Sequence, residues 1–228
     1  MTDAKTTIPT WHVDAKAEDA MGGGHAPMWR HLINIIPERD LSRKAVLDYG
    51  CNQGGFLRTL YATRPFRHGL GVDIATQSID RAKELAGTLP IQYRPVSDLS
   101  AWVDHFDIAF SYEVIYLVPD LASHAAAIAQ TLKPGGIYYA VTGCHTGSPL
   151  WPHWREFIAS KTHASVQDYS LDDIATAFVG AGLSVSARKF AYDGFVPFKP
   201  QSGYYPEFSK ALDYFTEIKT IFRIIKDG

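Results

Sequence analysis

The chain has 228 residues, a formal net charge of -2, 46% hydrophobic and 20% charged residues. This is the size and balance of one globular domain with short extensions, and the weak charge disfavours nucleic acid as main partner, because phosphate binding leaves a basic footprint. Two cysteines are too few for a disulfide framework, no stretch nears the roughly 20 apolar residues that span a bilayer, and the polar start from Met1 to Thr7 lacks a signal-peptide run, so a cytoplasmic location is expected.

Residues 1–43 read as a lid or cap segment, with a flexible Gly22-Gly23-Gly24 run and an apolar stretch from Trp29 to Ile36. From Lys44 onward, short β-rich runs alternate with helical patterns, which predicts a largely parallel sheet covered on both faces. Ala45 to Tyr49 is the first predicted strand, followed by a glycine-rich turn and a helix starting near Phe56. His68 to Asp73 is the second strand. Thr76 is placed to cap the next helix, whose Ile79, Ala82 and Ala86 share one face. Ile91 to Arg94 and Phe106 to Ser111 follow as the third and fourth strands.

Asp120 opens a helix with Leu121, Ala125, Ile128 and Leu132 at helical spacing, and Lys133-Pro-Gly-Gly136 ends it. Ile137 to Thr142 is the fifth strand. Ser170 to Asp173 resembles a capping box with Asp in place of Glu or Gln, opening a helix that ends near Gly182. Leu183 to Phe190 and Phe195 to Phe198 are expected to pair antiparallel. Phe208, Leu212, Phe215, Ile218, Phe222 and Ile225 fall on one helical stripe, so 201–228 reads as a C-terminal helical extension to a core domain over 44–200.

The chemistry is concentrated in Val46-Leu-Asp-Tyr-Gly-Cys-Asn-Gln-Gly-Gly55, between a predicted strand and a predicted helix. Glycines there let the backbone approach a ligand where side chains would clash, and the following helix N-terminus favours an anionic group. A dinucleotide site wants Gly-x-Gly-x-x-Gly. Here Gly50 and Gly54 are instead separated by Cys51, Asn52 and Gln53. Asp73, closing the second strand, is placed to accept both hydroxyls of a ribose.

Over about residues 44–198 the chain resembles the class I S-adenosylmethionine-dependent methyltransferases. Val46 to Gly55 is similar to their first motif and Gly71-Val-Asp-Ile74 to their ribose-binding motif. Val96-Ser-Asp98 is similar to the adenine loop, Ser111 to Asp120 to the segment at the methionine end, and Leu132 to Gly136 to the turn before the fifth strand. The resemblance implies an α/β, Rossmann-like, doubly wound sheet of seven strands, mostly parallel with an antiparallel final strand. It implies S-adenosyl-L-methionine as cofactor, with S-adenosyl-L-homocysteine as product.

It also implies individual roles. Asp48 would hold the cofactor's amino group, Gly50 the methionine part and Asp73 the ribose, while Cys51, Asn52 and Gly54 complete the turn. Ile74 and Leu99 would pack on the adenine and Ser97 and Asp98 would contact it, with Ser111 and Tyr112 near the sulfonium. Asn52 stands where the family usually has glycine, and asparagine tolerates left-handed dihedrals. Many relatives carry histidine near Tyr116, where this chain has tyrosine.

His145, just past the fifth strand, is the expected catalytic base, with an unperturbed pKa near 6.5, the alternative being a histidine hydrogen-bonded within its loop. Tyr116, His145, Trp151 and Trp154 are the expected substrate contacts, joined by the aromatic bias of Tyr192, Phe195, Tyr204 and Tyr205. Asp107 and Glu113 read as structural carboxylates. No histidine group has a tight metal-ligand spacing, so no metal is expected. The function read from the sequence is methyl transfer to a small-molecule acceptor, whether O-, N- or S-methylation, by a monomer or homodimer. The alternative is a non-catalytic methyltransferase-like binding or partner subunit.

Overall fold

The computed structural model describes residues 7–95 and 99–228. Its centre is a seven-stranded sheet of β1 (Ala45–Tyr49), β2 (His68–Asp73), β3 (Ile91–Pro95), β4 (Phe106–Tyr112), β5 (Leu132–Thr142), β6 (Leu183–Lys189) and β7 (Thr220–Lys226), in the order β3-β2-β1-β4-β5-β7-β6. The first five strands pair in parallel, and β7 runs antiparallel between β5 and β6. Val46, Leu47, Ala109 and Phe110 are buried, as expected of central parallel strands packed on both faces. The strand order reverses between β1 and β4, and such a switch point opens a crevice at the strand C-termini.

Among the described residues seven α-helices flank the sheet: α1 (Ala15–Ile35), α2 (Gly55–Thr63), α3 (Thr76–Ala86), α4 (Leu121–Thr131), α5 (Trp151–Lys161), α6 (Leu171–Gly180) and α7 (Phe208–Asp213). Leu32, Leu57, Ile79 and Phe110 belong to the core on one face; Ile128, Tyr138, Ile174 and Phe178 belong to the core on the other. Fully burying such a side chain contributes roughly 1.5–3 kcal/mol. A third cluster, with Tyr116, Trp151, Trp154 and Tyr214, includes residues of α5 and the segment after α7. Asp120 caps α4 by accepting from the Ser123 N–H at 3.0 Å, and Ser170 and Asp173 form the reciprocal capping box of α6.

Four sequence expectations are corrected. The stripe from Phe208 to Ile225 is not one helix: α7 passes into a π-turn over Tyr214–Ile218, and β7 follows. The run Ile221-Phe222-Arg223-Ile224-Ile225, rich in β-branched isoleucine with one aromatic, gains more between two strands than on a helix face. The partner of β6 is therefore β7, not Phe195 to Phe198, and the Phe195 side chain is fully exposed. Thr76 is the first residue of α3 rather than its cap, since the N-cap position is Ala75. Finally, Gly22-Gly23-Gly24 lies inside the continuous helix α1, which also contains Pro27. Burial of Met28, Leu32 and Ile33 overrides the low helix propensity of that turn. No helix among the described residues is long and apolar enough to cross a membrane.

Candidate functional site

The β1–α2 turn is bent by two bonds, because the N–H groups of Gly50 and Cys51 both donate to the Val72 carbonyl at 2.8 and 3.0 Å. Gly50 (φ 79°), Asn52 (φ 48°) and Gly54 (φ 71°) are left-handed. A Cβ on Gly50 would stand 2.3 Å from the Val114 side chain, so only glycine fits there. Asn52 tolerates the same region because its side chain is bonded locally: its Oδ1 accepts from the Gln53 N–H at 2.6 Å.

The carboxyl groups of Asp48 and Asp73 lie at the strand ends beside this turn. The Asp73 carboxylate accepts from the Asn52 N–H at 2.7 Å and the Ala75 N–H at 2.9 Å. Burial raises its pKa to about 6 against those two bonds. Asp48 is 2% exposed, and its Oδ2 has no hydrogen-bond partner among the described residues. Burial, then the nearby Asp73, push its pKa up to about 8. An unpaired buried carboxyl is costly, and a bound cation is the partner that would relieve it.

A cavity of about 1640 Å³ runs from this turn to the far end of β4 and β5. At its far end Tyr116, Trp154, Tyr205 and Tyr214 form an aromatic wall, with Trp154 edge-on to Tyr214 at 4.4 Å between ring centroids. Beside them lies a buried ion pair, Lys219 Nζ to Glu113 Oε1 at 2.8 Å. Lys219 also donates to the Tyr112 hydroxyl at 2.7 Å and lies over the rings of Tyr112, Phe190, Tyr214 and Phe215. Burial would raise the Glu113 carboxyl, but Lys219, Tyr214 and the Gly143 N–H hold it below the usual range. Burial opposes the Lys219 charge in turn, and Glu113 and Tyr112 outweigh it, so the ammonium persists. α1 closes the cavity with Met21, His25, Met28 and Trp29.

A family model described as a methyltransferase domain matches residues 25–187. The chain belongs to the class I S-adenosylmethionine-dependent methyltransferase family. It is 36% identical over 162 residues to a ubiquinone biosynthesis O-methyltransferase of Neisseria meningitidis serogroup C, covering 66% of this chain and 68% of that one. A protein of the same name from Hahella chejuensis is 37% identical over 149 residues, covering 55% and 62%. This methyltransferase spans about half the length of several other curated relatives. A solved complex of the Haloferax volcanii Trm112 methyltransferase activator with a putative methyltransferase matches at TM-score 0.78 and 20% identity, covering 94% of this chain and 95% of that chain; this likeness shows the fold.

S-adenosylmethionine fits the residues present. Its ammonium group would supply a cation for the unpartnered Asp48 oxygen, and the glycine turn would leave room for a close backbone approach. Of the residues expected at the cofactor, Asp48, Gly50, Cys51, Asn52, Asp73, Ile74, Leu99 and Tyr112 line the cavity. Gly54 and Ser111 do not: Gly54 is the N-cap of α2, and the Ser111 hydroxyl pairs with the Tyr138 hydroxyl at 2.6 Å. Ser97 and Asp98 lie outside the described residues.

On the acceptor side, Tyr116, Trp154, Tyr204 and Tyr205 line the cavity, whereas Trp151, Tyr192 and Phe195 do not. Trp151 packs edge-on behind Tyr116 and donates its indole N–H to Asp168 at 2.8 Å. His145, the expected general base, is not brought to the cavity. Its ring is buried off the cavity, with Nε2 3.5 Å from the Ile218 carbonyl. The loop after β5 turns its ring towards the start of β7, and that strand's place in the sheet is invisible in local spacing.

Asp107 is structural as expected, holding the Ala45 N–H and Lys133. Glu113, also read as structural, holds Lys219, the Tyr214 hydroxyl and the Gly143 N–H, and lines the cavity with Lys219. Sequence reasoning missed Lys219 and His25. Lys219 is a lone lysine in an apolar run, and its partner is more than 100 positions earlier. Glu18 was also missed; it accepts from Asn52 Nδ2 at 2.6 Å, the Ser78 hydroxyl at 2.7 Å and the His12 N–H at 2.7 Å. An acidic residue with a polar turn two elements away leaves no local signature.

Proposed function

We propose that this methyltransferase methylates a hydroxyl oxygen on a small aromatic acceptor held against Tyr116, Trp154, Tyr205 and Tyr214. The observation that carries the reading is one continuous cavity with the unpartnered Asp48 carboxyl at one end and an aromatic wall at the other. The names of the relatives, ubiquinone biosynthesis and tocopherol O-methyltransferases, support an aromatic hydroxyl as acceptor.

The cofactor, when bound, supplies a methyl group already activated on a sulfonium. Asp48 holds its ammonium as a carboxylate, and Asp73 its ribose. Tyr116 and Trp154 orient the acceptor ring, and α1 excludes water, so positioning does most of the work. The Tyr112 hydroxyl accepts from Lys219, which leaves its own proton free to donate to an acceptor oxygen. The protein acts as a monomer or homodimer in a reducing cytoplasm, where the buried free thiols Cys51 and Cys144 persist.

Calorimetry with S-adenosylhomocysteine, then mass spectrometry of simple phenols and catechols incubated with S-adenosylmethionine, tests the reading. Binding followed by gain of a methyl on oxygen is expected. Methylation restricted to amines or thiols overturns the acceptor assignment, and no binding in a folded protein overturns the cofactor site.

A further inference from the structure

The buried histidines of this chain are tied to protein groups. The His12 Nδ1 accepts from the Asp14 N–H, His31 bridges Asp193 and the Phe190 carbonyl, His124 meets the Tyr138 hydroxyl, and His145 faces the Ile218 carbonyl. His25 differs. It lines the cavity from α1 and is only half-buried as a residue, and neither ring nitrogen has a hydrogen-bond partner among the described residues. Its ring lies 5.5 Å from that of Tyr112 and 5.9 Å from that of Trp29, centroid to centroid.

We propose that His25 is the catalytic residue that accepts the acceptor's hydroxyl proton during methyl transfer, an inference that rests on the acceptor class proposed above. As the oxygen's electron pair forms the bond to the methyl carbon, the carbon–sulfur bond breaks and its electrons stay on a neutral thioether. The hydroxyl proton passes to the imidazole and then to water. The charged groups acting on His25 are Lys219 and Glu113. Burial first, then Lys219, lower its pKa to about 4, with Glu113 opposing, so the ring keeps its lone pair throughout the physiological range.

The placement of His25 also makes chemistry depend on α1. Glu18, two helical turns before it and about 10 Å along the axis, anchors the helix to Asn52 and Ser78. The intervening turn holds Gly22, Gly23 and Gly24 and is followed by Pro27, the weakest helix formers of the chain. His25 stands over the cavity while this turn is wound, held on one side by the Glu18 anchor and on the other by the buried Met28 and Leu32.

The test uses the full chain saturated with S-adenosylhomocysteine, whose binding by calorimetry establishes the cofactor site independently. Catechol is titrated to its solubility limit while the ¹⁵N resonances of the His25 ring are followed, assigned with His25→Gln. A hydrogen-bond shift of one ring nitrogen is expected, and an unmoved ring overturns the proposal. In parallel, His25→Gln is compared with the unmodified chain for transfer from S-adenosylmethionine to catechol. The expected result is a fall in kcat of about 10²–10⁴-fold, with KM within a few-fold and homocysteine-cofactor affinity unchanged. An unchanged kcat overturns the proposal. Where catechol is not turned over, the ring-nitrogen titration alone decides.

Discussion

Glu18 of α1 and Asn52 of the β1–α2 turn meet at 2.6 Å, carboxylate oxygen to side-chain amide. The bond joins the helix that closes the cavity to the turn beneath it. Glu18 is 2% exposed and takes three donors at once, so it cannot be removed without leaving them unpaired. Glu18→Ala is expected to cost about 1–3 kcal/mol locally and to speed hydrogen exchange over residues 15–30. S-adenosylhomocysteine should slow exchange in the same residues of the unmodified chain. Equal exchange with and without both changes would remove the lid role from α1.

Asp48 gives the protein a pH signature. Its pKa in the folded state, about 8, lies above the ordinary 3.8, and Asp73 is raised to about 6. The folded state therefore binds more protons at these two groups than the unfolded state does, so their own contribution to stability is fullest below about pH 4 and is lost as pH rises towards 8. The sign reverses for the cofactor, because its ammonium requires the Asp48 carboxylate. Binding of S-adenosylhomocysteine near pH 7 should release protons, seen as a binding heat that varies with buffer ionisation enthalpy. Asp48→Asn should abolish that variation and weaken binding; a heat independent of buffer in the unmodified protein would remove Asp48 from the ammonium site.

The Lys219–Glu113 pair predicts an asymmetric mutational response. Lys219→Met leaves Glu113 buried without its cation, and breaking such a pair from one side costs about 3–5 kcal/mol. Adding Glu113→Gln should return part of that loss, because the stranded charge is removed. Urea denaturation of the two variants measures the difference. A double variant less stable than the single one would contradict the charge-stranding explanation.

His145 makes the opposite prediction to that of its sequence position. With its ring off the cavity, His145→Ala should keep turnover on the acceptor within a few-fold and leave cofactor affinity unchanged. A loss of about 10²-fold or more in a stably folded variant would return the residue to the reaction.

How far the sequence reached follows from the range of the interactions involved. The turn from Gly50 to Gly54 and the acid at Asp73 were legible because backbone dihedrals and strand ends are set by neighbours a few positions away. The same holds for Asp120 and Ser170, whose caps close over three residues. Helical periodicity misread the C-terminus, since Phe208 to Ile225 satisfies a helix face while Ile221 to Ile225 also satisfies a strand. Pairing with Val141 and Arg188, far away in sequence, decided between them. Register on β5 in turn set where Lys219 meets Glu113, and packing of Met28 and Leu32 wound α1 through three glycines to bring His25 over the cavity. Local chemistry thus determined the glycine turn and the acid that ends the second strand. Which groups line the rest of the cavity was decided by long-range strand pairing and burial, which local spacing does not encode.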